Sequence, residues 1–206
     1  MIYFCSDQHL PKNEEKFLSF LDKVRGELFI LGDLFDFYYE FKYYIPKWSF
    51  NVFRKLREII EKGVKVNYMH GNHDPFKISF LKDIGVDVIT PGFYRIEGKI
   101  FYLTHSFQDT PVKYLGSIIK FLHPDFVGFF GLRFARFLEG LPKRKSLKRE
   151  IEEAKRKLKF CDYVVVGHYH RVFELVEGDK KIIFLSGWDE VNYAVYDGDL
   201  RLCFCL

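Results

Sequence analysis

The stretch His70-Gly71-Asn72-His73-Asp74 is the most informative part of the sequence, and the other unusual residues are best understood from it. It follows the apolar run 64–69 and precedes Pro75, which is typical of a strand that ends in a loop. Asn, His and Asp would pack poorly in an apolar core, but their oxygen and nitrogen atoms are suitable ligands for a cation. We therefore predict a polar site at the end of this strand.

Similar polar motifs follow other predicted strands. They are Asp7-Gln8-His9, Gly32-Asp33-Leu34-Phe35-Asp36, the single His105 and Gly167-His168-Tyr169-His170. Taken alone, each motif could be a turn or a hydrogen-bonded histidine of the core. With His73 of the first stretch, however, these motifs hold five of the seven histidines, and only His70 and His123 are assigned to packing or the surface. Each motif also ends a predicted strand, which favours one common site.

The order of predicted elements indicates a layered α/β fold. Apolar runs predict strands at 2–5, 28–31 and 64–69, and amphipathic patterns predict helices at 13–26 and 49–63, with Ser49 as an N-cap and Gly63 at the end. A short helix is predicted at 76–84, and further strands at 86–89, 93–97, 100–104, 162–166, 172–177, 180–186 and 192–205. Such an order places a site at the carboxyl ends of the strands. We interpret 1–206 as a single domain.

The segment 107–160, called the insert below, differs from the rest of the chain. Helices are predicted near 112–122, 126–139 and 146–159, so that the insert would form a helical cap. It carries 13 Lys and Arg against 6 Asp and Glu, whereas the whole chain has a net charge of +4. Its apolar residues cover more of the helical circumference than one buried stripe needs.

Two interpretations of the insert remain open. It could be a cap that only packs on the body, or a cap with an apolar cleft for acyl chains and a basic rim for phosphates or an anionic membrane surface. Nucleic acid is not expected as a partner, because binding it would not need so many exposed Phe and Leu side chains.

The remaining composition is that of a globular protein, with 48% hydrophobic and 29% charged residues. No signal peptide and no long apolar run are present, so we expect a cytoplasmic protein without a membrane-spanning helix. The four cysteines lack metal-type spacing and are expected to be reduced thiols.

The residue types of the motifs favour a pair of divalent ions. Alternate residues of a strand point to the same side, so Asp7 and His9 could reach one cation, as could His168 and His170. Asp33 follows a glycine and could bridge two ions. Asp, Asn and His ligands without Cys favour Mn²⁺, Fe²⁺ or Zn²⁺. Two such ions about 3.5–4 Å apart activate a water molecule and neutralise charge on a phosphoryl group.

In this order, the motifs DxH, GDxxD, GNHD, a single His and GHxH resemble those of the calcineurin-like metallophosphoesterases. The resemblance covers 1–106 and 161–206. It implies a double β-sheet sandwich flanked by helices, with a dinuclear metal site at which Mn²⁺ is the first expectation.

The resemblance also implies a role for each motif residue. One ion would be held by Asp7, His9 and His170, the other by Asn72, His105 and His168, and Asp33 would bridge them. His73 would contact the phosphate or protonate the leaving oxygen, with Asp74 orienting it. Asp36 is a weaker candidate for a supporting role.

Three further stretches are similar to the UDP-2,3-diacylglucosamine pyrophosphatases of lipid A biosynthesis, which also carry a helical insert. They are 31–37, 45–47 and Leu185-Ser186-Gly187-Trp188-Asp189. The similarity implies hydrolysis of UDP-2,3-diacylglucosamine to UMP and 2,3-diacylglucosamine 1-phosphate, with peripheral contact to the cytoplasmic face of the inner membrane. Substrate contacts are expected from Asn72 and, by position alone, from Lys145, Lys148 and Arg149.

Two alternatives are kept. The chain could be a general metal-dependent phosphodiesterase or phosphatase that acts on soluble or protein substrates. It could also be a membrane-binding or protein-binding module that retains metal ligands without turnover. The intact His73-Asp74 pair argues against that module, because a scaffold needs no proton donor.

Overall fold

The computed structural model of the protein describes residues 1–36, 38, 40, 45–74, 78–107, 130, 133, 147–188 and 192–204. Its strands are β1 (Ile2–Cys5), β2 (Glu27–Leu31), β3 (Lys65–Met69), β4 (Asp87–Ile89), β5 (Gly92–Ile96), β6 (Lys99–Thr104), β7 (Tyr163–Val166), β8 (Phe173–Glu177), β9 (Lys180–Phe184), β10 (Asn192–Tyr196) and β11 (Leu200–Phe204). The α-helices in the described part of the chain are α1 (Glu14–Leu21), α2 (Phe50–Glu61), α3 (Ser79–Asp83) and α4 (Leu147–Leu158).

The strands form two mixed sheets. The first has the order β11-β10-β1-β2-β3-β4, and the second has the order β5-β6-β7-β9-β8. Strands β1 to β4 run parallel, as do β6, β7 and β9, whereas the outer strands β10, β11, β5 and β8 pair antiparallel. Parallel neighbours bring the carboxyl ends of their strands to one edge of each sheet.

The apolar strand sequences are explained by burial on both faces. In β1, Ile2 and Phe4 lie between the two sheets, whereas Tyr3 and Cys5 belong to the core on the helical side. The Phe4 ring stacks on that of Phe101 of the second sheet, with a centroid distance of 5.5 Å. Successive residues therefore enter two different cores, so a strand in the middle of the sandwich needs no polar face.

Helices cover the outer faces of both sheets. Side chains of α1, α2 and α3 share one core with the first sheet, and α4 buries Ala154 and Leu158 against the second. The predicted α/β sandwich of two sheets flanked by helices is confirmed. Helix α4 lies within the insert but forms a layer of the body.

The helices predicted at 112–122 and 126–139 lie outside the described residues, apart from 130 and 133. The cap expected for that part of the insert therefore stays a prediction. Within the described part of the chain, no helix has both the length and the apolar character needed to cross a bilayer.

The predicted elements agree closely with the observed ones, with one difference in capping. The Ser49 side chain does not cap α2; its hydroxyl donates instead to the Pro46 carbonyl at 2.8 Å, and a 3₁₀ turn (Lys47–Ser49) precedes the helix. Gly63 ends α2 as predicted, with a φ of +91°. The predicted helix 76–84 is observed as Ser79–Asp83, and 75–77 lie outside the described residues.

Candidate metal centre

All five motifs lie at the carboxyl ends of strands β1, β2, β3, β6 and β7. Backbone hydrogen bonds continue past the strand ends and hold the loops together. The Asp7 N–H donates to the Gly32 carbonyl at 3.0 Å, and the His9 N–H donates to the Asp33 carbonyl at 3.1 Å. The sandwich thus brings segments from both sheets to a single edge.

The backbone at the site is unusual, because five non-glycine residues of the motifs have a left-handed φ. These are Asp7 (59°), His9 (50°), Asp33 (50°), His168 (74°) and His170 (50°). The expectation that strand geometry continues through the motifs is therefore wrong, since β1 ends at Cys5 and β7 at Val166. Left-handed backbone at such residues is uncommon and collects at functional sites.

The first group of side chains consists of Asp7, His9 and His170, whose potential ligand atoms lie within 4.8 Å of one another. The His9 and His170 Nε2 atoms are 3.1 Å apart, and Asp7 Oδ1 lies 3.3 Å from His170 Nε2. Asp7 Oδ2 accepts hydrogen bonds from the Ser6 hydroxyl at 2.6 Å and the His168 N–H at 2.7 Å. One oxygen of this carboxylate is thus fixed, and the other faces the two rings.

The second group consists of Asp33, His105 and His168, whose potential ligand atoms also lie within 4.8 Å of one another. His105 Nε2 lies 3.3 Å from Asp33 Oδ2 and 3.1 Å from Asn72 Oδ1. Asp33 Oδ1 accepts the His73 N–H at 2.7 Å, so this carboxylate is oriented in the same way as that of Asp7.

Two of the rings are oriented through their Nδ1 atoms. His9 Nδ1 lies 2.8 Å from Asp36 Oδ1, and His105 Nδ1 donates to the Leu31 carbonyl at 2.8 Å. Each ring therefore directs Nε2 into the site, the arrangement in which an outer partner fixes the tautomer of a metal-binding histidine. His73 Nδ1 lies 3.2 Å from the Asp36 carbonyl, so Asp36 positions two rings.

Asp74 does not occupy the predicted position beside the His73 ring. Its fully buried carboxylate accepts backbone hydrogen bonds, from Asp33 at 3.1 Å, Leu34 at 2.8 Å, Phe35 at 3.3 Å and Gly71 at 2.8 Å. Asp74 therefore braces the loops after β2 and β3. The family resemblance implied that Asp74 orients His73, whereas His73 Nδ1 lies 3.2 Å from the Asp36 carbonyl.

The electrostatics of the site couple its carboxylates to its imidazoles. Burial by itself would lower the pKa of His9 and of His105. The carboxylates of Asp36, Asp33 and Asp7 raise the pKa of His9 to about 9. Asp33, Asp7 and the Leu31 carbonyl raise the pKa of His105 to about 9 as well. Burial would likewise raise the pKa of Asp7, but His170 and His105 lower it to about 2. Without a cation, protons on the rings therefore balance the buried carboxylates.

Two glycines permit the close approach of the loops. A Cβ at Gly71 would lie 2.0 Å from Asp33 Oδ1, and one at Gly167 would lie 2.1 Å from Ser6 Oγ. No side chain could be accommodated there without moving a residue of the site.

The donor set fits divalent metal ions. Asp7 Oδ1 is buried and, among the described residues, no hydrogen-bond donor reaches it in good geometry. Such an oxygen is costly unless a cation or proton faces it. Two groups of carboxylate and imidazole ligands without thiolate suit Mn²⁺, Fe²⁺ or Zn²⁺.

A pocket of about 360 Å³ opens over both groups. Besides motif residues, its lining includes Lys12, Asn13, Leu147, Arg171 and Trp188. The sequence analysis did not predict these as pocket residues. Only Arg171 could have been inferred, because it directly follows the motif Gly167-His168-Tyr169-His170.

The predicted substrate contacts of the insert do not line the pocket in the described part of the chain. Lys148 and Arg149 are exposed on the first turn of α4, where Leu147 lines the pocket, and Arg149 lines a separate groove beside Tyr102. Lys145 lies outside the described residues.

Comparisons with known proteins agree with this site. The family profile of the calcineurin-like phosphoesterases matches residues 1–172, so the chain belongs to this family and is a metal-dependent phosphoesterase. The chain is 25% identical, over 246 aligned positions covering 96% of it and 94% of the relative, to a Porphyromonas gingivalis protein named UDP-2,3-diacylglucosamine hydrolase.

Two further matches are more limited. A Neisseria gonorrhoeae protein of the same name is 36% identical over 80 residues, which cover 35% of this chain and 33% of that protein. A solved structure described as a novel archaeal phosphodiesterase has a TM-score of 0.55 at 15% identity and covers 99% of both chains, a likeness of fold.

Proposed function

We propose that the protein hydrolyses the pyrophosphate bond of UDP-2,3-diacylglucosamine, giving UMP and 2,3-diacylglucosamine 1-phosphate. The observation that carries the phosphoester chemistry is the convergence of two groups of ligand atoms in one pocket. The relative from Porphyromonas gingivalis supports the choice of substrate through its name.

In this proposal Asp7, His9 and His170 hold one divalent ion, and Asn72, His105 and His168 hold the other. Asp33 bridges them. Mn²⁺ is our first choice of metal, and Fe²⁺ or Zn²⁺ would suit the same ligands. When bound, such a pair supplies activation of water and neutralisation of charge on a phosphoryl group.

The remaining residues position groups or transfer protons. His73 is proposed to contact the phosphate and to give a proton to the leaving oxygen, because its ring lies 4.8 Å from that of His9 and is held by the Asp36 carbonyl. The Asn72 side-chain amide is proposed to contact the substrate as well. Asp74, buried under the loops, keeps Asp33 and the loop after β3 in place.

The lipid part of the substrate is proposed to lie along the insert, with Lys145, Lys148 and Arg149 as candidate contacts for phosphate or an anionic membrane. The support is compositional: the insert combines excess positive charge with many Phe and Leu residues. A cytoplasmic location at the face of the inner membrane follows from this substrate.

The test is incubation of the Mn²⁺-loaded protein with UDP-2,3-diacylglucosamine and, separately, with bis-p-nitrophenyl phosphate. Release of UMP from the lipid supports the proposal, and chelation of the metal should abolish that release. Turnover of the aryl ester alone would favour the general phosphodiesterase or phosphatase. Turnover of neither by the metal-loaded protein would favour the non-catalytic module.

A further inference from the structure

The wall of the pocket beside Asp7, His9 and His170 carries two cationic side chains without an assigned role. Lys12 follows His9 by a compact turn, in which the Lys12 N–H donates to the His9 carbonyl at 3.2 Å. Arg171 directly follows His170, and both cationic residues line the pocket. Lys12 and Arg171 each lie close in sequence to a member of the first group, whose His9 and His170 Nε2 atoms are 3.1 Å apart.

A buried donor belongs to this wall as well. The Trp188 N–H of the backbone donates to the Asp7 carbonyl at 3.3 Å, which places this residue beside the same group. The residue lines the pocket and is 1% exposed, and its ring packs edge to face on Phe17 and Phe20. Its buried indole Nε1 has no hydrogen-bond partner among the described residues. A buried donor without a partner costs free energy, which a bound acceptor would recover.

The part of the pocket wall that α4 contributes is chemically different. There the lining residue is Leu147, which packs against the core on the outer face of the second sheet. The pocket is therefore polarised, with cationic and donor groups at the Asp7 end and an apolar side chain where the insert approaches.

We propose that Lys12, Arg171 and the Trp188 indole N–H form a subsite for the second phosphate of a pyrophosphate diester, the one that is not attacked. The inference rests on the proposed function and specifies how that function would be selected. A simple phosphodiester has one phosphorus and leaves the subsite empty, whereas a pyrophosphate diester carries a second anionic phosphorus across the P–O–P bridge from the one that is attacked. A guanidinium group binds phosphate oxygens in a bidentate manner, and an ammonium group adds a point charge.

The test compares a non-hydrolysable ligand that has two phosphorus centres with a ligand that has one. These are the methylene-bridged analogue of UDP-glucose, which has two phosphorus centres, and the methyl ester of UMP, which has one. Calorimetry gives the dissociation constant of each for the Mn²⁺-loaded protein. We expect the wild type to prefer the two-phosphorus ligand, and Lys12→Gln and Arg171→Gln each to reduce that preference about tenfold.

Matched variants separate the subsite from general charge and from folding. Lys159→Gln removes a positive charge at the far end of α4, roughly 18 Å along the helix from Leu147, and should leave the preference unchanged. Arg171→Lys should restore part of it, and Trp188→Phe should lower it while thermal melting checks the fold.

Equal weakening of both ligands, or no change in the ratio, would overturn the subsite, as would a wild type without preference. Calorimetry requires no turnover, so an intact preference in a protein that hydrolyses no phosphoester would count against the proposed function alone.

Discussion

The N–H of His168 donates a hydrogen bond of 2.7 Å to Asp7 Oδ2, although 161 residues separate the two along the chain. The bond joins the loop after β1 in the first sheet to the loop after β7 in the second. It also fixes the Asp7 carboxylate so that Oδ1 faces His170 and His9. This contact is one of those that join the two sheets at this edge, and it sets the orientation of a proposed metal ligand.

Asp7→Asn should separate these two contributions. An Asn side chain keeps an oxygen that can accept the His168 N–H, so the fold should survive, but the negative charge that attracts a cation is lost. We expect loss of one equivalent of bound Mn²⁺ and a fall in the release of UMP from UDP-2,3-diacylglucosamine of about a hundredfold or more. Metal analysis and steady-state kinetics check this.

Asp87→Asn is the matched control, because Asp87 is exposed at the start of β4. It should keep wild-type metal content and rate. Full metal content together with a normal rate in Asp7→Asn would remove Asp7 from the proposed ligands.

Asp36→Asn tests the proposed support of His9. The Asp36 carboxylate lies 2.8 Å from His9 Nδ1, and its loss should weaken Mn²⁺ binding by about 10- to 100-fold, as is usual for an outer partner of a metal-binding histidine. Titration with Mn²⁺ gives the affinity. The exposed Asp179→Asn should bind as the wild type does, and equal affinities in all three proteins would contradict the role of Asp36.

The strands could be predicted from sequence because burial on both faces leaves continuous apolar runs, as in Val164 and Val165, which enter different cores. The meeting of the motifs also followed, since parallel strands share one edge. The backbone of Asp7 and His9 did not follow from sequence: their left-handed φ depends on hydrogen bonds to Gly32 and Asp33, which only the folded chain provides.

The same reasoning explains why other site residues were missed or misplaced. Nothing local in the sequence indicates that Trp188 faces the pocket or that the Asp74 carboxylate turns toward backbone N–H groups. Lys148 and Arg149 were expected by their position in the insert, but the neighbouring Leu147 is the residue of this turn of α4 that lines the pocket. Which face of a helix meets a site is decided by packing on the sheet, here through Ala154 and Leu158.

Metal binding should depend on pH through His9 and His105. Their pKa values are raised to about 9 in the metal-free protein, so at pH 7 both rings carry a proton that a metal ligand must lose. We expect Mn²⁺ binding at pH 7 to release protons and its apparent affinity to rise toward pH 9. Calorimetry in buffers of different ionisation enthalpy counts the protons, and His9→Ala should release fewer.

The stability of the metal-free protein should follow the opposite trend at high pH. A histidine pKa raised from 6.5 contributes stability that is fully present below pH 6.5 and is lost as the pH rises through about 9. The lowered pKa of Asp7 contributes stability above pH 3.8 that is lost as the pH falls through about 2. With chelator present, the urea concentration at the midpoint of unfolding should therefore be highest between about pH 3.8 and pH 6.5. A constant midpoint from pH 6 to 10 would contradict the coupling between the histidines and the carboxylates.

Gly71→Ala tests whether the close approach of the loops positions the site. The added Cβ would lie 2.0 Å from Asp33 Oδ1 and 2.3 Å from the Asp33 backbone nitrogen, so the loop after β3 must move away from Asp33. We expect a loss of about 1–3 kcal/mol in the free energy of unfolding, typical of overpacking, and weaker Mn²⁺ binding at the second group. Gly92→Ala is the matched control, because its Cβ would come no closer than 3.9 Å to a neighbour. If Gly71→Ala bound Mn²⁺ and unfolded like Gly92→Ala, the contact between the two loops would not be what positions Asp33.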